Sequence, residues 1–316
     1  TRDSRVVERK KNAGDELLPN SYEKSKTTIL GSIESTDYPI LFSGLKKYYP
    51  NERQYAKAIT FGIMYQAGPA KIAETPFAVN IIDNIKTEDS NWRFSGDTVN
   101  NFDEHIKKSV PLYLEGHQIT CGLSKFFVKN NSIVYEIGSS TGVLSTKLSE
   151  TNKTKLGARF IGLDVEKDMV DYANQHFSKT DNNNVSFEHA DIISVELEKS
   201  DFIACYYTVQ FIPPAVRQQV IDKLYQSLNW GGALIMFEKV RAPDARFQDI
   251  VNTLYLDYKL EQGYSGENIV CKMMSLKGIL EPFSTQGNID MLKRAGFVDI
   301  VSVQKYLCFE GLLAIK

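Results

Sequence analysis

The stretch VYEIGSSTG, residues 134–142, decides the fold. An apolar strand runs into Gly138, and two serines and a threonine lead to Gly142, where the hydrophobic periodicity of a helix begins. Small residues let the backbone approach a ligand closely, and the helix N-terminus offers N–H groups without intrahelical partners. One such loop is a weak signal, because many α/β folds carry a glycine-rich turn after a strand.

Two carboxylates beyond the following strands strengthen the interpretation of this loop as a ligand site. Asp164 ends the next strand, where a carboxylate can bind both hydroxyls of a ribose, and Asp191 follows the third strand, where it can reach an adenine amino group. The loop lacks the GxGxxG pattern of dinucleotide sites and is preceded by Glu136, which suits an ammonium group better than a pyrophosphate. The alternative is a structural turn with incidental acids.

Short apolar strands alternate with helices from Trp92 to Lys316, which favours βαβ units and a mostly parallel sheet. A first helical element, 101–128, is interrupted at Pro111 and is predicted to form two short helices. Pro213 and Pro214 are expected to open a later helix that ends at NWGG, residues 229–232. The chain is predicted to close with two strands joined by a short turn. The predicted strands before that hairpin are 132–138, 159–165, 185–191, 201–207 and 233–240.

The loop and its acids together resemble the class I S-adenosylmethionine (SAM) dependent methyltransferases. The resemblance implies a Rossmann-like α/β fold, with a mostly parallel seven-stranded sheet and a terminal antiparallel hairpin, and it implies SAM or a carboxylated derivative as the cofactor. The cofactor-binding residues that it implies are Glu136, Gly138, Ser140, Gly142, Asp164, Asp191, Ile192 and Tyr207.

Six stretches of the segment 92–316 resemble the carboxy-S-adenosylmethionine synthase family of tRNA-modification enzymes. They are KKSVPLY (107–113), VYEIGSSTG (134–142), YYTVQFIPP (206–214), RQQVIDKLYQSLNWGGAL (217–234), LDYKLEQGYS (256–265) and FEGLLAIK (309–316). Enzymes of that family transfer a carboxyl group from prephenate onto the methyl carbon of SAM. The resemblance implies that Tyr113 lies near the sulfonium and that Tyr206, Tyr207 and Thr208 line the pocket.

Two positions depart from the pattern of that family. Met273 stands where the family has an arginine that holds the new carboxylate, and methionine offers no hydrogen-bond donor. Lys272 beside it supplies a charge without the planar fork of a guanidinium, and Tyr206 replaces an asparagine. We therefore expect methyl transfer to a small molecule or a nucleic-acid base, with Tyr113 and Tyr206 as catalytic residues. Carboxy-SAM synthesis for tRNA wobble-uridine modification is the alternative.

Methyl transfer depends mainly on in-line positioning of the acceptor against an already electrophilic methyl group, and a dedicated base is not obligatory. Further candidate pocket groups are Tyr207, Gln210, Lys239, Tyr258 and Tyr264. Most tyrosines are expected simply to pack, since the chain has 16 of them.

The N-terminal part has a different character. Residues 1–28 are charge-dense and predict a solvated arm, and 29–91 is interpreted as a helical extension whose stretch 80–91 is the boundary to the following domain. Arg53, Lys57, Phe61 and Tyr65 fall at four-residue spacing and would form one stripe of a helix over 52–74. This stretch resembles the fingers helix of phage-type family A DNA polymerases, which implies nucleic-acid binding. An accessory nucleic-acid-binding fragment is therefore a third functional hypothesis.

Composition excludes several other classes of protein. Among 316 residues, 42% are hydrophobic and 24% charged, with a net charge of −2, the balance of a globular chain without an obligatory nucleic-acid or membrane partner. The four cysteines and four histidines show no metal-ligand spacing, so no metal site is predicted. No apolar run approaches the roughly 20 residues of a membrane helix, and the N-terminus lacks a signal-peptide pattern. We expect a cytoplasmic protein and a homodimer.

Overall fold

The apolar runs on either side of the glycine-rich loop form neighbouring strands of one sheet. The computed structural model of the protein describes residues 80–82, 85–87, 92, 94–177 and 184–316. The strands in this part of the chain are β1 (Asn80–Ile82), β2 (Ile85–Thr87), β3 (Ile133–Ile137), β4 (Arg159–Asp164), β5 (Val185–His189), β6 (Ser200–Tyr206), β7 (Leu228–Lys239), β8 (Asp299–Tyr306) and β9 (Phe309–Ile315). The helices are α1 (Asp97–Ser109), α2 (Tyr113–Phe127), α3 (Val143–Thr151), α4 (Lys167–Phe177), α5 (Pro214–Ser227), α6 (Ala245–Glu261), α7 (Gly266–Ser275) and α8 (Thr285–Ala295).

Seven of these strands form one sheet in the order β5-β4-β3-β6-β7-β9-β8. Neighbouring strands from β5 to β7 pair in parallel, and β9 pairs antiparallel with both β7 and β8. The order reverses at β3, since β4 lies on one side of it and β6 on the other. The expected Rossmann-like methyltransferase sheet with a terminal antiparallel hairpin is therefore confirmed.

The sheet is covered on both faces, which explains why its central strands are almost continuously apolar. Alternate residues of β3 enter different hydrophobic clusters. Ile133, Tyr135 and Ile137 pack in the cluster of α5 and α8, whereas Val134 packs in the cluster that contains Leu144 and Leu148 of α3. Glu136 shares the parity of Val134, and it therefore places a carboxyl group on a face that is otherwise apolar.

The helix break predicted at Pro111 is confirmed. Helix α1 ends at Ser109 and α2 begins at Tyr113, with Leu112 in the left-handed region at φ 55°. This break places the first turn of α2 at the carboxyl end of the sheet, where Tyr113 and His117 both contact Tyr206, the last residue of β6.

One local prediction was wrong. Residues 229–232 belong to β7 rather than to the end of a helix, because Leu228 pairs with Ser200 and starts the strand directly after α5. Helix α7 begins at Gly266 inside the stretch GYSGEN (263–268), with the Ser265 side chain accepting from the Asn268 N–H as an N-cap.

The stretch 80–91 was interpreted as the boundary to the following domain. It contains β1 and β2, which form an antiparallel hairpin that lies against α1 and α7. The arm 1–28, the predicted helix 52–74 and its stripe of Arg53, Lys57, Phe61 and Tyr65 lie outside the described residues. Within the described part, no helix has both the length and the apolar character needed to cross a bilayer.

Candidate active site

A cavity of about 530 Å³ opens at the carboxyl end of the parallel strands, beside the point where the strand order reverses. Ligands of open α/β sheets bind at such switch points. Nine of the ten residues predicted for the site line this cavity: Tyr113, Glu136, Gly138, Ser140, Asp164, Asp191, Ile192, Tyr206 and Tyr207. Gly142 is the exception.

The glycine-rich loop is held against the sheet by its backbone. The N–H groups of Gly138 and Ser139 both donate to the Leu163 carbonyl, at 2.7 and 3.1 Å. Gly138 has φ 73°, and a Cβ there would overlap the Thr208 side chain, whose hydroxyl donates to the Ile137 carbonyl. The loop therefore fits tightly between β4 and the turn after β6, and its second half faces the cavity.

Gly142 has a structural role behind the loop. It precedes α3 at φ 84°, and a Cβ there would lie 2.6 Å from the Phe187 ring. The glycine thus permits contact between the start of α3 and β5, and it does not reach the cavity wall. Its placement differs from the cofactor-contacting position that the sequence predicted.

Asp164 joins the loop to the next turn. Its two carboxylate oxygens accept from the Ser140 N–H at 2.7 Å and the Glu166 N–H at 2.9 Å. Burial raises the pKa of this carboxyl, and the backbone N–H donors oppose that rise. A carboxylate has about four acceptor sites, so each oxygen can still accept a hydroxyl from a ligand.

Glu136 is buried, with 4% of its surface exposed. Its Oε2 accepts from the Ser145 hydroxyl of α3 at 2.5 Å. Burial raises the pKa of Glu136 to about 8, while the Ser145 hydrogen bonds act in the opposite direction. A cation entering this part of the cavity would favour the ionised form, so the residue is chemically suited to an ammonium group.

Asp191 and Ile192 lie on the turn after β5. The Asp191 carboxylate caps that turn by accepting from the Ile193 N–H at 2.9 Å, and its side chain is exposed. Ile192 is 9% exposed and contributes an apolar surface to the same wall.

Aromatic side chains form the opposite wall. The Tyr206 hydroxyl donates to the Tyr113 carbonyl at 2.5 Å, and the His117 ring centroid lies 4.7 Å from that of Tyr113 and 4.6 Å from that of Tyr206. Burial raises the pKa of both tyrosines, so their hydroxyls stay protonated. Burial lowers the pKa of His117 to about 3, which keeps its imidazole neutral.

Comparison with known proteins agrees with this geometry. The methyltransferase domain family matches residues 134–232, which run from the glycine-rich loop to the start of β7. The carboxy-S-adenosyl-L-methionine synthase of Staphylococcus epidermidis is 38% identical over 226 residues, covering 71% of this chain and 97% of that protein. The enzyme of the same name from Campylobacter lari is 34% identical over 231 residues, covering 73% and 97%.

The chain belongs to the carboxy-S-adenosyl-L-methionine synthase family. It is a SAM-dependent transferase with a class I methyltransferase domain, and SAM is its cofactor. Two solved structures share the fold at low sequence identity. They are the pyocyanin biosynthetic protein PhzM (TM-score 0.54, 14% identity, 85% of this chain and 71% of that one) and the SAM-dependent methyltransferase SibL (TM-score 0.52, 13% identity, 85% and 70%).

This member of the carboxy-SAM synthase family places Lys272, and not Met273, on the cavity wall. Lys272 is buried and its ammonium lies over the Trp92 ring, whereas Met273 is 47% exposed and does not line the cavity. A helix turns by about 100° per residue, so neighbouring positions face different directions. The methionine that replaces the family arginine therefore points away from the cavity.

Several cavity residues of this family member were missed or misjudged from the sequence. Gln210 and Lys239, which the sequence suggested as pocket groups, line the cavity. Tyr255 and His117 also line it, although the sequence did not single them out. Tyr258 and Tyr264 do not line it. Tyr264 is buried and its hydroxyl contacts Ser109 at 3.0 Å. Periodicity alone could not distinguish these cases, because only the break between α1 and α2 turns His117 toward the site.

Among the described residues, no group of three or more histidines, cysteines or acids lies close enough to hold a metal ion. The four cysteines are all buried and lie at separate positions of the fold.

Proposed function

We propose that the cavity binds SAM with its amino-acid end near Glu136 and its adenosine along Asp164, Asp191 and Ile192. The observation that carries the proposal is the convergence of the loop and these side chains, which are distant in sequence, on one cavity. Asp164 would accept the ribose hydroxyls on lone pairs that the Ser140 and Glu166 N–H groups leave available. Ile192 would pack against the adenine.

The transfer itself would take place at the aromatic wall. SAM brings an electrophilic methyl group, and the protein has to hold an acceptor in line with it. Tyr113 would contact the reacting groups. Tyr206 would hold Tyr113 in position, since the Tyr206 hydroxyl donates a hydrogen bond to the Tyr113 carbonyl. With both hydroxyl pKa values raised, neither tyrosine would serve as a phenolate base. The acceptor's own nucleophile would attack, and the tyrosines would exclude water.

Calorimetry with SAM and S-adenosylhomocysteine tests this assignment. We expect binding by the wild type, a loss of at least tenfold in affinity in Asp164→Ala, and no change in Asp249→Ala, which alters an exposed carboxylate of α6. Absence of binding by the wild type, or equal binding by both variants, would contradict the proposal.

Carboxy-SAM synthesis is a second candidate, favoured by the name of the relatives and by the cation of Lys272 on the wall. Mass spectrometry after incubation with SAM and prephenate decides between the two. Carboxy-SAM synthesis would be supported if the wild type and the exposed-lysine control Lys125→Met form carboxylated SAM and Lys272→Met does not. A methylated acceptor without carboxylated SAM would reject it.

The finer expectations on partners and location remain proposals. The acceptor would be a small molecule or a nucleic-acid base, with Arg53, Lys57, Phe61 and Tyr65 as a nucleic-acid contact, and the location cytoplasmic. A homodimer is supported by three exposed apolar residues on one face of α6, namely Phe247, Ile250 and Leu254. Sedimentation of the wild type and of Ile250→Lys would test it, since a dimer through this face should dissociate in the variant.

A further inference from the structure

Two lysines, the half-buried Lys239 and the buried Lys259, flank one aromatic ring beside the cavity. Lys239 ends β7 and lines the cavity, with its ammonium 4.7 Å from the centroid of the Tyr255 ring. The ammonium of Lys259, on α6, lies 5.1 Å from the same centroid and is behind the wall. Within the described residues, neither ammonium group makes a salt bridge or a hydrogen bond.

No negative charge in the described part of the chain compensates these two cations. Burial lowers the pKa of Lys239, and the groups that act on it next are the Cys308 thiol and the exposed cation of Lys277. Burial also raises the pKa of Cys308, so that thiol is neutral and provides no counter-ion. Burial, with the nearby Lys239, lowers the pKa of Lys259 to about 7. A buried unpaired charge costs several kcal/mol, roughly, so this arrangement favours an anion in the cavity.

A buried tyrosine, Tyr207, lines the same cavity. Tyr207 is 6% exposed, its OH has no hydrogen-bond partner among the described residues, and its backbone is in the left-handed region at φ 60°. The Tyr207 ring centroid lies 6.0 Å from that of Phe309, and the Lys239 ammonium is also 6.0 Å from the Phe309 centroid. Lys239 and Phe309 are register partners across β7 and β9, which fixes this proximity in the sheet.

We infer that Lys239 and the Tyr207 hydroxyl form an anion-binding subsite that holds a carboxylate of the second substrate. The inference rests on the proposed function, because it assigns part of the same cavity to the acceptor. An ammonium and a phenol O–H are both donors to a carboxylate, and the surrounding low-dielectric aromatic wall strengthens such charge-assisted bonds. Phe309 and Tyr255 offer an apolar surface for the carbon skeleton. Lys259 lies behind Tyr255, so its positive charge acts on the subsite only through the electrostatic field and its side chain touches no ligand.

Benzoate and its neutral isostere benzamide are suitable probes. We expect calorimetry on the full chain, with and without S-adenosylhomocysteine, to show benzoate binding at least tenfold tighter than benzamide. Lys239→Met should reduce benzoate affinity to that of benzamide, and Tyr207→Phe should weaken it several-fold. The exposed-lysine control Lys125→Met should bind as the wild type does.

A stability measurement accompanies the binding experiment. Without added anion, Lys239→Met should unfold at a temperature equal to or above that of the wild type, because an isosteric apolar chain replaces a half-buried cation without a counter-ion. Benzoate should raise the unfolding temperature of the wild type and leave that of Lys239→Met unchanged. If Lys239→Met fails to fold, Lys239→Gln provides the same comparison.

Unaltered benzoate binding in Lys239→Met would overturn the inference, as would tighter Lys239-dependent binding of inorganic phosphate, which would make this a phosphate site. The two proposals fail separately. Loss of S-adenosylhomocysteine binding in the wild type would remove the proposed function, whereas loss of benzoate discrimination with intact S-adenosylhomocysteine binding would remove only the carboxylate subsite.

Discussion

Gly138 is the residue at which the glycine-rich loop cannot accept a side chain. Its φ of 73° is the left-handed region, and Thr208 occupies the space that a Cβ would need. Thr208 in turn donates to the Ile137 carbonyl, so it cannot move without losing a partly buried hydrogen bond. The glycine therefore sets the distance between the loop and the turn after β6.

Gly138→Ala should lower the free energy of unfolding by about 2–4 kcal/mol, because it adds both a backbone strain and a steric overlap. Gly122→Ala is the matched control. Gly122 lies within α2, where an added Cβ would meet no described atom within 4 Å, and it should gain up to about 1 kcal/mol from helix propensity. Urea unfolding measures both, and equal effects of the two substitutions would contradict the packing argument.

Glu136 should couple protonation to ligand binding. Its pKa of about 8 in the folded protein is above the ordinary 4.5, so its stabilising contribution is fully present below pH 4.5 and is lost as the pH rises through 8. Ligand-free Glu136→Gln should therefore gain stability relative to the wild type between pH 5 and pH 9. Thermal unfolding across this range measures the difference, in which other titrating groups common to both proteins cancel.

The ammonium of S-adenosylhomocysteine should favour ionised Glu136. Wild-type affinity should therefore increase with pH up to about 8 relative to that of Glu136→Gln, and calorimetry in two buffers should detect proton release below pH 8. The same pH profile in both proteins would show that the ammonium binds elsewhere.

At the scale of elements, the short 3-10 turn Val209–Phe211 depends on an arginine that the sequence did not reveal. Arg217 of α5 is 1% exposed and donates to the carbonyls of Ile212 and Gln210, at 2.6 and 3.3 Å, and to that of Glu281, at 3.0 Å. The guanidinium thus ties the turn after β6 to the segment that precedes α8. This contact fixes Gln210, which lines the cavity.

Arg217→Lys should lower the free energy of unfolding by roughly 2–4 kcal/mol, because a lysine keeps the charge but cannot satisfy three carbonyls in fixed directions. Arg246→Lys, an exposed substitution on α6, should leave stability unchanged. Urea unfolding compares the two, and a neutral Arg217→Lys would show that water replaces the guanidinium.

At the scale of the whole molecule, the described structure begins earlier than the predicted boundary at residue 92. The hairpin of β1 and β2 lies against α1 and α7, two helices that contribute His105 and Lys272 to the cavity wall. An isolated two-stranded hairpin is marginal in water, so its stability depends on this packing. We propose that the SAM-binding domain includes residues from about 80 onward.

Removal of residues 1–79 should leave S-adenosylhomocysteine affinity within about twofold of that of the full chain. Removal of residues 1–91 takes the hairpin as well and should lower the free energy of unfolding by a further 1–2 kcal/mol, roughly, since it exposes faces of α1 and α7. Calorimetry and thermal unfolding of both truncations test the boundary. Equal stability of the two truncated proteins would place the domain boundary at residue 92.

The sequence by itself determined the sheet and the loop. Apolar runs covered on both faces predict buried parallel strands. The positions of Glu136, Asp164 and Asp191 at or just beyond the carboxyl ends of successive strands are enough to predict one shared edge, because parallel strands end together. It could not determine α7 or the start of β7, since these depend on an N-cap at Ser265 and on pairing with Ser200.

Only the tertiary structure decided which polar groups face the cavity and which lack partners. Met273 and Lys272 are neighbours in sequence, yet the rotation of α7 turns one outward and the other inward. Lys239 and Lys259 come from a strand and a helix and share a neighbour only because Tyr255 lies between them. Gly142 belongs to the loop by sequence but to the packing against Phe187 in space. Such relations depend on side-chain direction and on distant elements, which a local pattern does not encode.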